Sequence, residues 1–140
     1  TPRDNMAVGA SGTTLVVAGG RTRLASGTTV DGTLASTEVL PAGAAAWQSR
    51  SPMPTGRRSV TAQVVAGTLY VIGGEATATN GAFIENQAYD LATDTWSVVT
   101  GLPQGRHGMA SGVIDGRIHV VGGGTVAGTS YSALHTVFEP

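Results

Sequence analysis

A unit of about 50 residues occurs almost three times in this chain, and this repetition constrains the fold more than any other feature of the sequence. Each copy carries a glycine doublet, at Gly19-Gly20, Gly73-Gly74 and Gly122-Gly123. An arginine stands 16 residues before each doublet, at Arg3, Arg57 and Arg106. Trp47 recurs as Trp96 after 49 residues. A fixed period of this length is typical of repeat proteins, in which each unit buries its faces against its neighbours.

Each unit is predicted to contain four short antiparallel strands. The first strands are expected at residues 6–10, 60–66 and 109–114, and the second strands at 15–17, 69–72 and 118–121. The third strands are expected at 37–40, 86–89 and 135–138, and the fourth strands begin at Trp47 and Trp96. The units are placed at residues 1–52, 53–101 and 102–140, and the last unit lacks its fourth strand. Gly and Pro recur too often for long helices.

The composition excludes several classes of protein. Charged residues make up 12% of the chain and the net charge is −1, which gives no general attraction to nucleic acid or to an anionic membrane. The absence of cysteine excludes disulfides and thiol nucleophiles from this chain. No cofactor-binding motif is present, and His107, His119 and His135 show no metal-ligand spacing, so neither a cofactor nor a metal is expected. The compartment is left open.

The spacing pattern resembles that of the kelch repeat. The middle unit agrees best, through Tyr70, Gly73, Gly74, Tyr89, Asp90, Thr93, Trp96 and the flanking Pro54 and Pro103. The first unit departs from the pattern with Val16 and Leu40-Pro41, and the third with His119 and Phe138-Glu139. The resemblance implies an all-β fold of kelch-type β-propeller blades, each of four antiparallel strands. About three blades are present, half of the six that are usual in that family.

An incomplete ring leaves blade faces and strand edges uncovered. We therefore expect them to be covered either by the remaining blades of the same protein or by a second copy of the chain. Because the third unit stops before its fourth strand, the sequence favours a segment of a longer protein over a half-ring that assembles with itself.

One rim of the propeller is expected to carry the long loops, at residues 21–35, 75–84 and 124–132. Long loops on a rigid scaffold often hold binding sites. The strand register also predicts a net charge of +3 on this rim, from seven arginines and four acids: Arg3, Arg21, Arg23, Arg50, Arg57, Arg58 and Arg106 against Asp4, Asp31, Glu75 and Glu85. Glu38 is placed inside a strand, away from both rims. Planar guanidinium groups suit carboxylate, sulfate and phosphate.

The candidate ligand-binding residues are the repeated arginines together with the two residues after Arg3 and Arg57 and the one after Arg106: Arg3, Asp4, Asn5, Arg57, Arg58, Ser59, Arg106 and His107. A side chain that recurs in every unit is also a candidate for a structural role, so the variable neighbours are the better candidates for specificity. In kelch propellers that bind peptides, ligand contacts commonly come from this junction and from the loops after Gly-Gly, so the resemblance implies a site here. Trp47, Trp96 and His119 are predicted to pack in the core between blades.

Two functions are consistent with the sequence. The first is a binding module whose arginine-lined rim takes an acidic peptide or an anionic glycan. The alternative, implied by the resemblance, is part of a carbohydrate-active kelch enzyme, either a sialic-acid mutarotase-like protein or a sugar oxidase-like one. Glu75, Glu85 and His107 are the acid–base candidates for the mutarotase-like alternative. No catalytic residue is assigned, and the sequence favours a protein that is not an enzyme.

Overall fold

The computed structural model describes residues 1–22, 32–76 and 81–140 of the chain, and these residues form antiparallel sheets. The first sheet has the order β1-β2-β5-β6, with β1 at Ala7–Ser11, β2 at Thr14–Ala18, β5 at Thr37–Pro41 and β6 at Gln48–Arg50. The second sheet has the order β7-β8-β9-β10, with β7 at Thr61–Val65, β8 at Thr68–Ile72, β9 at Asn86–Asp90 and β10 at Thr95–Val99.

The third sheet has three strands in the order β11-β12-β13, at Ala110–Ile114, Arg117–Val121 and His135–Phe138. A two-stranded ribbon of β3 (Arg21–Thr22) and β4 (Gly32–Thr33), which was not predicted, lies in the loop after the first glycine doublet. Within the described ranges there is no helix, and therefore none that is long and apolar enough to cross a membrane. The prediction of an all-β, kelch-type propeller fold is confirmed.

Two-residue turns set the register of the hairpins at the start of each sheet. In the second sheet, Ala66 and Gly67 have φ of 49° and 82°, and in the third, Asp115 and Gly116 have φ of 50° and 73°. Two successive residues with positive φ form the turn that matches the twist of the flanking strands. The turns therefore hold each first strand against its second strand. The glycine doublets and the long loops lie at the other end of the sheets, away from these turns.

The three sheets stand side by side around a common axis, with their first strands innermost. β1 packs against β7, and β7 packs against β11. Main-chain hydrogen bonds pass from sheet to sheet at the start of these strands, from Ser59 N to Asn5 O at 2.9 Å and from Gly108 N to Ser59 O at 2.7 Å. All three residues have positive φ, of 55° at Asn5, 54° at Ser59 and 65° at Gly108. We call this chain of bonds the axial relay.

Apolar side chains fill the two spaces between the sheets. Between the first and second sheets, Val16 and Val39 pack with Leu69 and Tyr89, and all four are less than 5% exposed. A second cluster joins the second and third sheets, and its fully or largely buried members are Ile72, Leu102, Met109, Ile118, Val120 and Phe138. The core therefore consists of layers between sheets, as a propeller requires.

Of the three residues predicted to pack between blades, Trp96 does so, and Trp47 and His119 do not. Trp96 packs against the first sheet, where its Nε1 donates to Ser51 O at 2.9 Å. The prediction for Trp47 is wrong in the described structure, because its side chain remains 44% exposed. His119 is likewise only half buried, and it meets the exposed His135 with Nδ1 and Nε2 3.0 Å apart.

Candidate functional site

The three repeated arginines lie on the loop-rich rim and fasten each sheet to itself. Arg57 Nη1 donates to Gly73 O at 3.2 Å and to Glu85 O at 2.7 Å, which joins the end of β8 to the residue before β9. The same pair of carbonyl acceptors recurs in the other sheets, at Gly19 and Ser36 for Arg3 and at Gly122 and Leu134 for Arg106. The constant spacing in the sequence thus reflects a constant main-chain contact. We call these residues the clamp arginines.

The Nη2 group of each clamp arginine donates to a side chain that differs between sheets: Glu38 for Arg3, Glu85 for Arg57 and Thr136 for Arg106. Arg57 and Arg106 are at most 1% exposed, and this burial lowers the pKa of both guanidinium groups, an effect that Glu85 opposes at Arg57. Arg57 also lies over the ring of Phe83, at 4.3 Å from its centroid. This geometry gives the clamp arginines a structural role, so their predicted ligand contacts remain untested predictions.

The residue after each clamp arginine is presented on the rim by an identical main-chain frame. Its N–H donates to the carbonyl of the residue that follows the glycine doublet, at a distance of 3.0 Å in every sheet. These antiparallel bridges pair Asp4 with Arg21, Arg58 with Glu75 and His107 with Gly124. The frame is constant while the side chain changes from acid to base to imidazole. We call Asp4, Arg58 and His107 the display positions.

In the first sheet, the display position forms an exposed ion pair. Arg21 Nε donates to Asp4 Oδ1 at 2.7 Å. The side chain of Arg21 is 40% exposed and that of Asp4 is 61% exposed. An ion pair in this setting contributes at most about 1 kcal/mol to stability. This ion pair therefore adds little to the stability of the first sheet. Asn5, the neighbouring candidate, is exposed and supplies the first carbonyl of the axial relay.

Between the second and third sheets, several donors converge on one buried carboxylate. Glu75 Oε1 accepts from Arg58 Nε at 3.4 Å and from Ser59 Oγ at 3.2 Å. Glu75 Oε2 accepts from Gly128 N at 3.0 Å and lies 3.8 Å from His107 Nδ1. Glu75 is only 6% exposed. We call Arg58, Ser59, Glu75 and His107 the junction cluster, since its members come from two sheets.

Opposing effects act on the Glu75 carboxyl group. Burial by itself raises its pKa, but the hydrogen bond from Gly128 N, the charges of His107 and Arg58 and the Ser59 hydroxyl together outweigh burial, so that the pKa of Glu75 is lowered. The acid is consequently held in its ionised form. An ionised, enclosed carboxylate that accepts hydrogen bonds from three donors is suited to anchoring other groups.

The third long loop folds over the junction cluster. His107 Nε2 lies 2.9 Å from Val126 O, and this carbonyl requires Nε2 to carry the proton. Ser130 Oγ accepts from Val126 N at 3.1 Å and donates to Val126 O at 2.6 Å. A side chain at Gly124 would lie 2.7 Å from His107 Nε2 and closer still to Ser130, so only glycine permits this approach. We call residues 124–132 the capping loop.

Acidification is expected to release the capping loop from Glu75. Because the pKa of Glu75 is lowered in the folded protein, its stabilising contribution is complete above the ordinary glutamate value, about 4.3, and is lost as pH falls through the lower folded-state value. Amide hydrogen exchange should show declining protection of Gly128 N–H in that pH range. Gly74 N–H, which donates to Arg106 O at 2.8 Å, is the control because its acceptor does not titrate. Parallel behaviour of the two amides would contradict the assignment.

Two residues alter the charge predicted for this rim. Glu38 is not remote from it but ion-pairs with Arg3. Arg50, predicted to lie on the rim, instead lines a cleft of about 330 Å³ together with Gly67, Leu91 and Ala92 at the hairpin-turn ends of the first two sheets. Arg23 and Asp31 lie outside the described residues. Within the described part of the rim, five arginines face four carboxylates, so the predicted excess of +3 falls to +1.

Sequence reasoning missed the anchoring role of Glu75, although a signal for it exists. Each display position lies 17 residues before its bridge partner, and in the first two sheets the partners have opposite charge. Glu85, another acid–base candidate, is committed to Arg57 at 2.6 Å. A search of the described residues finds no cluster of three or more His, Cys, Asp and Glu side chains suited to a metal ion.

Comparison with known proteins agrees with this architecture. The family model of the Kelch motif matches residues 56–103, which include the clamp arginine, the glycine doublet and Trp96 of the second sheet. A solved structure titled "Structure of YjhT" superposes with a TM-score of 0.71 over 90% of this chain at 22% identity, so the likeness concerns the fold. The chain spans 36% of that structure's length. No curated protein matches significantly. The chain thus carries a kelch motif at residues 56–103 and has the fold of kelch-type propeller blades.

Proposed function

We propose that this chain belongs to a kelch-repeat binding module whose loop-rich rim contacts an acidic peptide or an anionic glycan. The supporting observation is the constant main-chain frame that presents a different side chain at each display position. The hydrogen bonds of the buried clamp arginines fix the backbone of each sheet. The side chains at Asp4, Arg58 and His107 can therefore differ without disturbing the fold. A rigid frame with variable side chains is the arrangement by which loops on a scaffold achieve specific binding.

The proposed ligand class follows from the cations that reach solvent. Arg21 is 40% exposed and Arg58 is 17% exposed at the side chain. Guanidinium groups bind carboxylate and sulfate through two parallel hydrogen bonds, which favours an anionic ligand. Asn5 and Ser59 lie beside these positions along the axial relay and add neutral polar groups. The clamp arginines support the site by holding the main chain.

The carbohydrate-active alternative needs an accessible acid–base pair, and the geometry favours binding instead. Glu85 is engaged by Arg57, and Glu75 is enclosed with a lowered pKa that makes it a weak base. His107 already donates its Nε2 proton to Val126 O. We therefore keep binding as the proposed function.

The outer faces of the first and third sheets concern the proposed partners of the chain. Val8 and Leu15 in the first sheet, and Ile114 and Val121 in the third, are between 44% and 58% exposed. In the second sheet, Leu69 and Ile72, the counterparts of Leu15 and Val121, are completely buried by the neighbouring sheets. We propose that the remaining blades of the same protein, or a second copy of the chain, cover these faces.

Substitution of Arg58 by glutamine is expected to weaken binding of an anionic ligand about tenfold or more, because a hydrogen bond to a charged group contributes about 1.5–3 kcal/mol. The probes are a fluorescein-labelled hexaglutamate peptide and a chondroitin sulfate tetrasaccharide, measured by fluorescence anisotropy and calorimetry. Added salt should weaken the binding of either probe to the unaltered protein.

The matched control is Arg117→Gln, which removes an exposed arginine paired with Glu139 on the opposite rim. This variant should bind both probes as the unaltered protein does. Equal affinity of the Arg58 and Arg117 variants, in proteins with the same thermal unfolding midpoint, would overturn the proposed rim site.

A further inference from the structure

Two histidines lie side by side on the outer face of the third sheet. His119 Nδ1 and His135 Nε2 are 3.0 Å apart, and the planes of the two rings differ by only 18°. His119 belongs to β12 and His135 is the first residue of β13, so the contact joins adjacent strands. His119 is half buried and His135 is exposed, which leaves the pair open to solvent.

The repeat does not account for this pair. The residues 49 positions earlier, in the second sheet, are Tyr70 and Asn86. Tyr70 packs against the ring of Phe138, with the centroids 5.5 Å apart, and Asn86 donates to Thr100 O at 2.8 Å. Because the chain has three histidines, two imidazole rings can meet in only one sheet. The pair is therefore a feature of the third sheet and not of the propeller scaffold.

A proton occupies the gap between the facing nitrogen atoms. The hydrogen bond of 3.0 Å requires one of them to donate an N–H and the other to accept it. A neutral imidazole can carry its proton on either nitrogen, so a change of tautomer moves this proton to the outer nitrogen of the same ring. Each facing nitrogen then offers a lone pair. Two neutral imidazole nitrogens at this separation can serve as ligands of one transition-metal ion.

The distance between the facing nitrogens indicates which ions fit. Two nitrogen ligands, each about 2.0–2.1 Å from one ion, are about 2.9–3.0 Å apart at a right angle and about 3.3–3.4 Å apart at the tetrahedral angle. The observed 3.0 Å corresponds to the right angle. Nitrogen ligands at right angles are typical of the tetragonal sites of Cu²⁺ and Ni²⁺, whereas Zn²⁺ prefers the tetrahedral arrangement.

The surroundings of the pair leave room for such an ion and its water ligands. Gly112 is the β11 residue opposite His119, and nothing lies within 4 Å of the position that a Cβ would take there. Arg117, two residues before His119 on the same face, is paired with Glu139 at 3.4 Å, which offsets its charge. Both rings must turn so that their lone pairs meet at the ion, and the exposed position of His135 permits this.

We propose that His119 and His135 form a binding site for Cu²⁺, or with lower affinity for Ni²⁺, in which the ion bridges β12 and β13. The two imidazole nitrogens occupy neighbouring positions of its coordination sphere, and water fills the others. The order of affinities is the general one for divalent ions at nitrogen ligands. The inference does not depend on the proposed binding function, because it involves none of the display positions.

The test is isothermal titration calorimetry of the full-length protein with CuCl₂, in a buffer that contains glycine as a weak competing ligand. One ion is expected to bind per chain. His119→Gln and His135→Gln should each weaken binding at least about tenfold, because losing a ligand costs no less than losing a partner outside the coordination sphere. Electron paramagnetic resonance should show coupling of the ion to two nitrogen nuclei in the unaltered protein and to one in either variant.

The matched control is His107→Gln, which removes the third histidine of the chain, whose Nε2 is already bonded to Val126 O. This variant should bind Cu²⁺ as the unaltered protein does. Loss of binding in the His107 variant would place the ion elsewhere and overturn the inference. Unchanged affinity in both variants of the pair, or no binding by the unaltered protein, would also overturn it. The nitrogen count in the unaltered protein tests the site without relying on the folding of any variant.

Discussion

Replacement of Arg57 by methionine is expected to lower the free energy of unfolding by about 3–5 kcal/mol, the cost of removing one partner from a buried charged network. The methionine fills similar volume but leaves Gly73 O and Glu85 O without their donor inside the second sheet. It also leaves the Glu85 carboxylate without its cation. Urea denaturation followed by tryptophan fluorescence measures this change.

Two variants separate the clamp from a general effect of charge. Arg57→Lys keeps the positive charge but offers a point donor in place of a planar fork, so it should recover only part of the loss. Arg117→Met removes an exposed arginine and should change the free energy of unfolding by no more than about 0.5 kcal/mol. Full stability of the Arg57→Met variant would contradict the structural role of the clamp arginines.

Substitution of Gly74 by alanine is the second change with a large expected effect. Gly74 has φ of 99°, and an added Cβ would lie 2.7 Å from Arg58 O and 2.6 Å from Val60 Cγ1. Because main-chain atoms have little room to move, we expect a loss of about 2–5 kcal/mol from conformational strain and overpacking together. The clash also disturbs the hydrogen bond from Gly74 N to Arg106 O, which joins the second and third sheets.

Gly67→Ala is the matched control for this effect. Gly67 also has positive φ, of 82°, but no atom lies within 4 Å of its added Cβ. This variant should therefore show only the conformational cost, about 1–2 kcal/mol. The same urea measurement compares the two. Equal losses at the two positions would mean that steric crowding at the doublet contributes nothing.

Much of the fold was predictable because the constant spacings of the repeat reflect main-chain contacts that recur in every unit. The spacing between each arginine and its glycine doublet corresponds to one clamp, and the two-residue turns set the strand register. Trp47 and His119 were wrongly predicted to be buried. The position of a residue in the repeat determines the face of the sheet on which its side chain lies, but burial also requires a neighbouring sheet on that face. Trp96, with the same position as Trp47, meets the first sheet and is partly buried.

The candidate site was only partly predictable. The display positions follow from the variable residues beside a constant arginine, so Asp4, Arg58 and His107 were identifiable from the sequence. The convergence on Glu75 was not, because it depends on how the capping loop crosses from the third sheet to the second. The path of a glycine-rich loop is determined by tertiary contacts that leave no periodic pattern.

The axial relay has a consequence for how such chains diversify. Its donors and acceptors belong to the main chain, from Asn5 to Ser59 and from Ser59 to Gly108, so docking between adjacent repeats there does not depend on side-chain identity. Gene duplication or exchange of whole repeats would preserve this joint wherever positive φ is tolerated. Selection can then reshape the loops of one repeat without compensating changes at the joint in the next, which makes the architecture modular at its centre.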